Sequence, residues 1–258
     1  MIHPTAIIDK TAEIHEKAII GPYSVIGARS KIGAYTKLNA HVVIGDDTII
    51  GEENTFYQFS SIGEDPQDKK FKKGDRVFLK IGNRNTVREY VSINRGTLQD
   101  KKTTFIGDDN WIMATCHIAH DCVVGSRTIF ANGASLAGHA LIEDDVILGG
   151  YSMIYQRVRV GRGSITGFSS GINKDVPPFM TVAGYRASPA GINSEGLRRK
   201  GFSAEAIRAT KQAYRALYRK SLSLNEAIEE INALATTHPH LADLSQFLEV
   251  KSALGIIR

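Results

Sequence analysis

Between Ile106 and Ile172 the chain repeats itself every six residues. Ile106, Ile112, Ile118, Val124, Phe130, Leu136, Ile142, Leu148, Ile154, Val160, Thr166 and Ile172 hold this phase without a slip, and all but Thr166 are apolar. The residue two places before each is small or medium-sized, beginning with Thr104, Asn110, Cys116 and Cys122 and ending with Ser164 and Ser170. A period of six matches neither the 3.6 of an α-helix nor the 2 of a free strand. It requires a repeating coil with its own geometry, a parallel β-helix, in which three hexads close a triangle.

Each hexad then supplies one short strand and one turn. The large apolar residue and the small one two before it point inward. Successive coils stack at roughly 4.8 Å, so residues 18 apart in sequence share a column. By this rule His120, Gly138 and Gln156 form one column, at a turn where side chains face outward.

The same phase opens the chain. Ile8, Ile14, Ile20, Ile26, Ile32, Leu38, Ile44, Ile50, Phe56 and Ile62 are consecutive hexad positions. Register breaks at Gly63, and the polar stretch Glu64 to Lys80, with Pro66 and Gly74, contains no hexad. It reads as an excursion from the coil wall, and long loops on a regular scaffold are more often functional than decorative. Hexads resume at Ile81, Val87 and Ile93, and a shorter excursion runs from about Gly96 to Lys102. The repeat stops at Asp175-Val176-Pro177-Pro178, where two prolines end strand pairing.

Residues 1–178 are therefore one repeat domain, with excursions near 63–80 and 96–102, and 179–258 are a linker followed by helices. Ser203 caps a predicted helix through about Lys220, with Ile207, Tyr214 and Leu217 inward and Arg208, Lys211, Arg215 and Arg219 as a basic stripe. Ser223 and Glu226 form a capping box for a second helix with Ala227, Ile228, Ile231 and Leu234 inward, and Pro239 opens a third with Leu241, Leu244 and Leu248 apolar. This small helical unit is expected to cover the open end of the coil, which would otherwise be an exposed sheet edge.

Composition narrows the setting. At 42% hydrophobic and 23% charged residues the chain is that of an ordinary globular protein. It has no apolar run long enough to span a bilayer, and MIHPTAIIDK lacks the features of a signal peptide, so a cytoplasmic protein without stable membrane insertion is expected. A net charge of +5 suits an acidic partner. Nucleic acid is not that partner, because no aromatic residues interleave with a basic stripe. Cys116 and Cys122 both occupy inward positions on neighbouring hexads and match no zinc or redox spacing, so they are expected to be buried free thiols.

His117, His120 and His139 should all lie on the outer surface. A lone surface histidine is usually only a solvated turn residue, but three together, with Asp121 beside His120, fit a general base oriented by a carboxylate. Gly138 above His120 leaves a backbone N–H that could approach a developing oxyanion. General base plus oxyanion donor suffices for acyl transfer to a hydroxyl, and with no outward Ser or Cys nucleophile evident, transfer should be direct.

Particular motifs go further than the repeat. QFSSIGEDPQD (Gln58 to Asp68), INRGT (Ile93 to Thr97), HIAHDCVVG (His117 to Gly125), LAGH (Leu136 to His139), DVPPF (Asp175 to Phe179) and NSEGLRRKGFS (Asn193 to Ser203) resemble the UDP-N-acetylglucosamine acyltransferases of lipid A biosynthesis, end to end. These belong to the hexapeptide-repeat acyltransferase superfamily. The resemblance implies a mainly β fold, a left-handed parallel β-helix with a C-terminal α-helical domain. That hand runs against the usual right-handed crossover and comes from the resemblance alone.

The resemblance also implies transfer of a 3-hydroxyacyl chain from acyl carrier protein to the glucosamine 3-position of UDP-N-acetylglucosamine, by a homotrimer with sites between subunits. It implies no metal and no cofactor beyond the donor's phosphopantetheine. His120 would be the general base, supported by Asp121, and the Gly138 N–H would hold the oxyanion. Gln67, Asp68, Lys70, His117, His139 and Gln156 would line the sugar and pantetheine site, and Asn193, Glu195, Arg198 and Arg199 would contact the nucleotide. Three positions depart from the family pattern. Tyr155 and Asn94 stand where the family usually has histidine, which leaves a 3-amino sugar as an alternative acceptor. Phe168 stands where members accepting longer chains have glycine, which makes it an acyl-chain ruler.

Overall fold

In the computed structural model, which describes residues Met1–Arg258, each hexad forms a strand of about two residues with its second residue inward. Val25–Ile26, Lys31–Ile32 and Lys37–Leu38 are typical: Ile26, Ile32 and Leu38 are buried while their partners face out. The strands stack in parallel into three walls of nine, eight and ten strands. Register follows the 18-residue rule, with Ile118 paired to Leu136 and Leu136 to Ile154. Each buried aliphatic contributes roughly 1.5–3 kcal/mol. The walls leave little room to collapse, so Ile118→Ala should cost about 2–5 kcal/mol.

The small inward positions also carry polar groups, and these are hydrogen-bonded from coil to coil. Asn85 donates to Asn54 Oδ1 at 2.9 Å, and Asn85 Oδ1 accepts from the Asn110 N–H at 2.9 Å. Satisfied in this way, buried amides avoid the desolvation penalty that would otherwise exclude them.

Both excursions leave from the same corner, between the first wall (Ile7–Ile8 through Gly171–Ile172) and the second (Glu13–Ile14 through Arg159–Val160). The first departs after strand Ser61–Glu64 and returns as Phe78–Ile81, so it ends earlier than Lys80. The second departs after Ser92–Asn94 and returns as Thr103–Ile106. The two returning strands are four residues long and pair along their whole length. No tight corner precedes them, so pairing extends backwards.

The stretch read as a linker is a β-hairpin. Met180–Ala183 adds in parallel to the third wall (Ile19–Ile20 through Ser188–Ile192) and turns back as antiparallel Ser188–Ile192. Isolated bridges Val160 to Val176, Gly171 to Tyr185 and Asp175 to Ile256 cover the other two walls. The end of the coil is thus closed by extended chain, and the helices pack against this closure.

Those helices are α1 (Ser194–Arg199), α2 (Ala204–Tyr218), α3 (Leu224–Thr237) and α4 (Ala242–Glu249). Ser203 caps α2, and the Ser223–Glu226 capping box of α3 is present in both directions. Pro239 opens a short 3-10 turn that leads into α4. Tyr214 and Leu217 are buried as expected, whereas Ile207 is only half-buried. Ala209, Ala213 and Ala216 fill the close helix contact instead. Arg159 joins this unit to the coil: its Nε donates to the buried Asp175 at 2.7 Å, and its guanidinium lies 4.2 Å from the Phe247 ring of α4 and donates to the Val250 carbonyl at 3.2 Å.

Candidate active site

The corner that emits both excursions also carries the histidines. His120 and Asp121 turn the chain from His117–Ile118 to Val123–Val124, and Gly138 and His139 do the same one coil further on. Asp121 and His139 adopt left-handed backbone angles, φ 59° and 64°, which Asp and His tolerate better than most residues.

The second excursion folds over this corner. Thr97 donates to Asp121 through both its N–H, at 3.0 Å, and its hydroxyl, at 2.6 Å. The Asp121 side chain is completely buried, and those of His120 and His139 are about 12% and 10% exposed. The histidines lie outside the coil, as their hexad positions predict, and the loop that folds over them keeps them from being merely solvated turn residues. Burial pushes the Asp121 carboxyl up, but hydrogen bonds from His120 and Thr97 outweigh it and hold the group below the usual carboxylate range. An ionised Asp121 accepts from His120 Nδ1 at 3.0 Å. That fixes the neutral His120 tautomer with its lone pair on Nε2.

His120 Nε2 faces Gly138. A Cβ built at Gly138 would stand 2.7 Å from both Cε1 and Nε2 of His120, closer than real carbon contacts. Glycine is required here for space rather than for backbone freedom. In consequence the ring approaches the Gly138 backbone, and Gln156 lies exposed in the next coil of the column.

His117 sits on the first wall one turn before His120 and meets Ser92 Oγ through Nδ1 at 2.8 Å. Burial, and then the neighbouring His120, push its pKa down, so it is neutral at pH 7. Asn94 does not face the corner's open side. It is buried, and its amide donates to the Asp65 carbonyl at 2.9 Å, tying down the root of the first excursion. Beyond that root Gln67 and Lys70 are exposed and Asp68 is half-exposed, accepting from the Lys70 N–H at 2.9 Å.

The NSEGLRRKG segment folds as α1 and lies apart from this corner, beside the turn between the second and third walls. Asn193 is its N-cap: Oδ1 accepts from Gly196 at 2.8 Å and Nδ2 donates to the Gly163 carbonyl at 2.8 Å. Its side chain is thus engaged within the chain. Glu195 pairs with Arg198 and, at 3.0 Å, with Arg199. Lys200, the third residue of this basic turn, pairs with Asp145.

Phe168 is 73% exposed and stacks over Gly150 in the expected column, 5.8 Å from Tyr151 between ring centres. Beside it a groove of about 590 Å³ crosses the first wall, bordered by Tyr151, Met153, Tyr155, Gly171 and Tyr185 and reaching Ala137, next to Gly138. Phe168 was legible as a column position, 18 residues after Gly150, but the groove was not, because outward wall residues follow no repeat.

Two alternatives can be weighed on the same geometry. Ligand atoms of His120, Asp121 and His139 lie within 4.8 Å of one another, yet both Nδ1 atoms point at carboxylates, His120 at Asp121 and His139 at Asp100. The donors are organised as two His–Asp pairs. Cys116 and Cys122 are buried and unpaired, and burial pushes their thiols up to about 11 and about 12, which removes them as nucleophiles.

A coil of hexads bearing a carboxylate-supported histidine against a bare backbone turn defines a left-handed β-helix acyltransferase of the hexapeptide-repeat class. The model for bacterial transferase hexapeptide repeats matches residues 23–58 and 103–138, and that for domain 2 of the UDP-N-acetylglucosamine O-acyltransferases matches 175–257. Curated relatives named acyl-(acyl-carrier-protein):UDP-N-acetylglucosamine O-acyltransferase include those of a Janthinobacterium strain, 53% identical over 100% of this chain and 99% of its own, and of Neisseria gonorrhoeae, 50% identical with the same coverage. Among solved structures, LpxA from Acinetobacter baumannii superposes with a TM-score of 0.97 at 45% identity, covering 100% of this chain and 99% of that one. The Francisella novicida UDP-N-acetylglucosamine acyltransferase gives 0.97 at 40%, covering 100% and 94%. The chain belongs to the UDP-N-acetylglucosamine O-acyltransferase family.

Proposed function

We propose that the chain transfers a 3-hydroxyacyl group from the phosphopantetheine arm of acyl carrier protein to the 3-hydroxyl of UDP-N-acetylglucosamine, the first step of lipid A biosynthesis. The observation that carries this reading is the His120–Asp121 pair with the Gly138 backbone one coil above it. His120 Nε2 takes the proton of the sugar hydroxyl as the oxygen attacks the thioester carbonyl. The Gly138 N–H stabilises the tetrahedral oxyanion. Collapse expels the pantetheine thiolate, which leaves with the proton held by His120. Asp121 stays ionised throughout and stabilises the imidazolium. Direct transfer is supported by the absence of an activated thiol, and the acyl group arrives on its carrier, so no resident cofactor enters the scheme.

The sugar and pantetheine are bound by His117, His139, Gln156 and the excursion residues Gln67, Asp68 and Lys70. The assembly in this reading is a homotrimer with sites between subunits, to which the exposed Gln67 and Lys70 would be presented. Glu195, Arg198 and Arg199 meet the nucleotide, and Asn193 fixes the helix that carries them. Asn94 spends its side-chain N–H on the excursion root, while its Oδ1 is buried without a partner. No helix is long and apolar enough to cross a membrane. Mass spectrometry of products from UDP-N-acetylglucosamine and its 3-amino analogue, each offered a panel of acyl carrier proteins, tests the reading. An O-acyl product is expected, and acylation of the amino analogue alone would overturn it.

A further inference from the structure

Besides His120–Asp121, the corner holds a second histidine–carboxylate pair. Asp100, at the tip of the second excursion, lies 39 residues from His139 in sequence, yet its Oδ2 stands 2.6 Å from His139 Nδ1. The two imidazoles meet edge to face with ring centres 5.0 Å apart. His139 Nδ1 is also only 4.0 Å from Asp121 Oδ2, the oxygen that accepts from His120. Two imidazoles thus lie near one buried carboxylate, and a second carboxylate engages the Nδ1 of one of them.

We propose that Asp100 is a positioning residue: it holds the proton of His139 on Nδ1, so that Nε2 is presented to substrate and Asp121 is left to His120 alone. A carboxylate accepts and never donates when ionised, so the 2.6 Å contact fixes the His139 tautomer as Asp121 fixes that of His120. Without Asp100, His139 needs to move by only about 1 Å to reach hydrogen-bond distance of Asp121. His120 would then share its carboxylate, and the loss would fall on turnover rather than on carrier binding. The loop as a whole has this function: Thr97 holds the first carboxylate and Asp100 holds the second histidine.

The inference rests on the acyl-transfer reading, and its test separates the two. In full-length protein, Asp100→Ala should lower kcat about tenfold or more, as loss of an orienting carboxylate commonly does, with the KM for acyl carrier protein within about twofold of wild type. Imidazole ¹⁵N spectra should change for both His139 and His120, an effect that loss of loop packing alone would not produce. Asp100→Asn should recover most of the turnover and the wild-type His139 tautomer, because the side chain is 30% exposed and its amide oxygen can turn to the ring. Should the alanine variant fold poorly, Asp100→Ser carries the same spectroscopic comparison. An unchanged kcat, or unchanged spectra at both histidines, overturns the assignment of Asp100. Wild-type protein that transfers no acyl group overturns the catalytic reading instead, while the tautomer measurement still decides the pairing.

Discussion

His120 and Gly138 are one coil apart and so close that a methyl group on Gly138 would collide with the imidazole at 2.7 Å. The backbone, not a side chain, therefore faces the base. Gly138→Ala should leave the coil intact, since its backbone angles need no glycine, but it should push the ring off line. A misplacement of about 1 Å can cost roughly 10²-fold in rate. A steady-state assay with circular dichroism as a control for folding checks this; a variant within threefold of wild type would mean that His120 and Gly138 do not act together.

Phe168 stands beside the groove that reaches Ala137, against the Tyr151 ring that borders it, and is expected to obstruct a chain laid along it. Each methylene buried there contributes about 0.8 kcal/mol, so blocking two to four of them costs roughly 1.6–3 kcal/mol, about 15- to 200-fold in selectivity. Phe168→Gly should move the preference several carbons towards longer chains without changing the oligomeric state by light scattering. An unmoved preference in a protein of unchanged size would return Phe168 to a packing role.

Arg208, Lys211 and Arg215 on α2 are exposed to solvent, as is Arg219 at its C-cap, 6.0 Å from the Tyr214 ring. An acidic carrier protein would be steered by the first three. Lys211→Glu with Arg215→Glu should raise the KM for the acyl carrier and flatten its dependence on salt, with kcat little changed. The same KM at low ionic strength would leave the stripe as ordinary solvated surface.

His117 contributes to pH-dependent stability. Its folded pKa is depressed by burial and by His120, whereas the unfolded value is about 6.5. The unfolded chain therefore binds the proton more readily, and stability from this group is complete above about pH 6.5 and is lost as pH falls through the folded pKa. His240, depressed by burial and by His238, acts in the same sense. Urea midpoints between pH 7.5 and 5 should fall less steeply for His117→Gln than for wild type. An identical slope would show that the His117 pKa is not depressed in the fold.

The coil was legible because its residues obey one period, so Ile118, Gly138 and both cysteines could be placed by counting. The caps at Ser203 and Ser223 were legible for a similar reason, a fixed spacing from side chain to backbone. What escaped has no period. Met180–Ala183 joins the wall through backbone pairing, although its Gly-rich surroundings read as linker. Thr97 and Asp100 reach the histidines only because an irregular loop folds back, and loop geometry is set by contacts distant in sequence. Asn193 carried a capping signal, an Asx side chain three residues before Gly196, that the stronger motif around it concealed.

Proton transfer in this site turns on a single imidazole. Replacing His120 by alanine leaves the inward hexad residues untouched, so the fold should persist. Loss of a general base typically costs roughly 10²- to 10⁴-fold. Turnover of acyl carrier protein thioester and UDP-N-acetylglucosamine by His120→Ala, measured beside wild type at the same pH, should fall by at least about 10²-fold. A folded variant that keeps a third of the wild-type rate would contradict the assignment of His120 as the base.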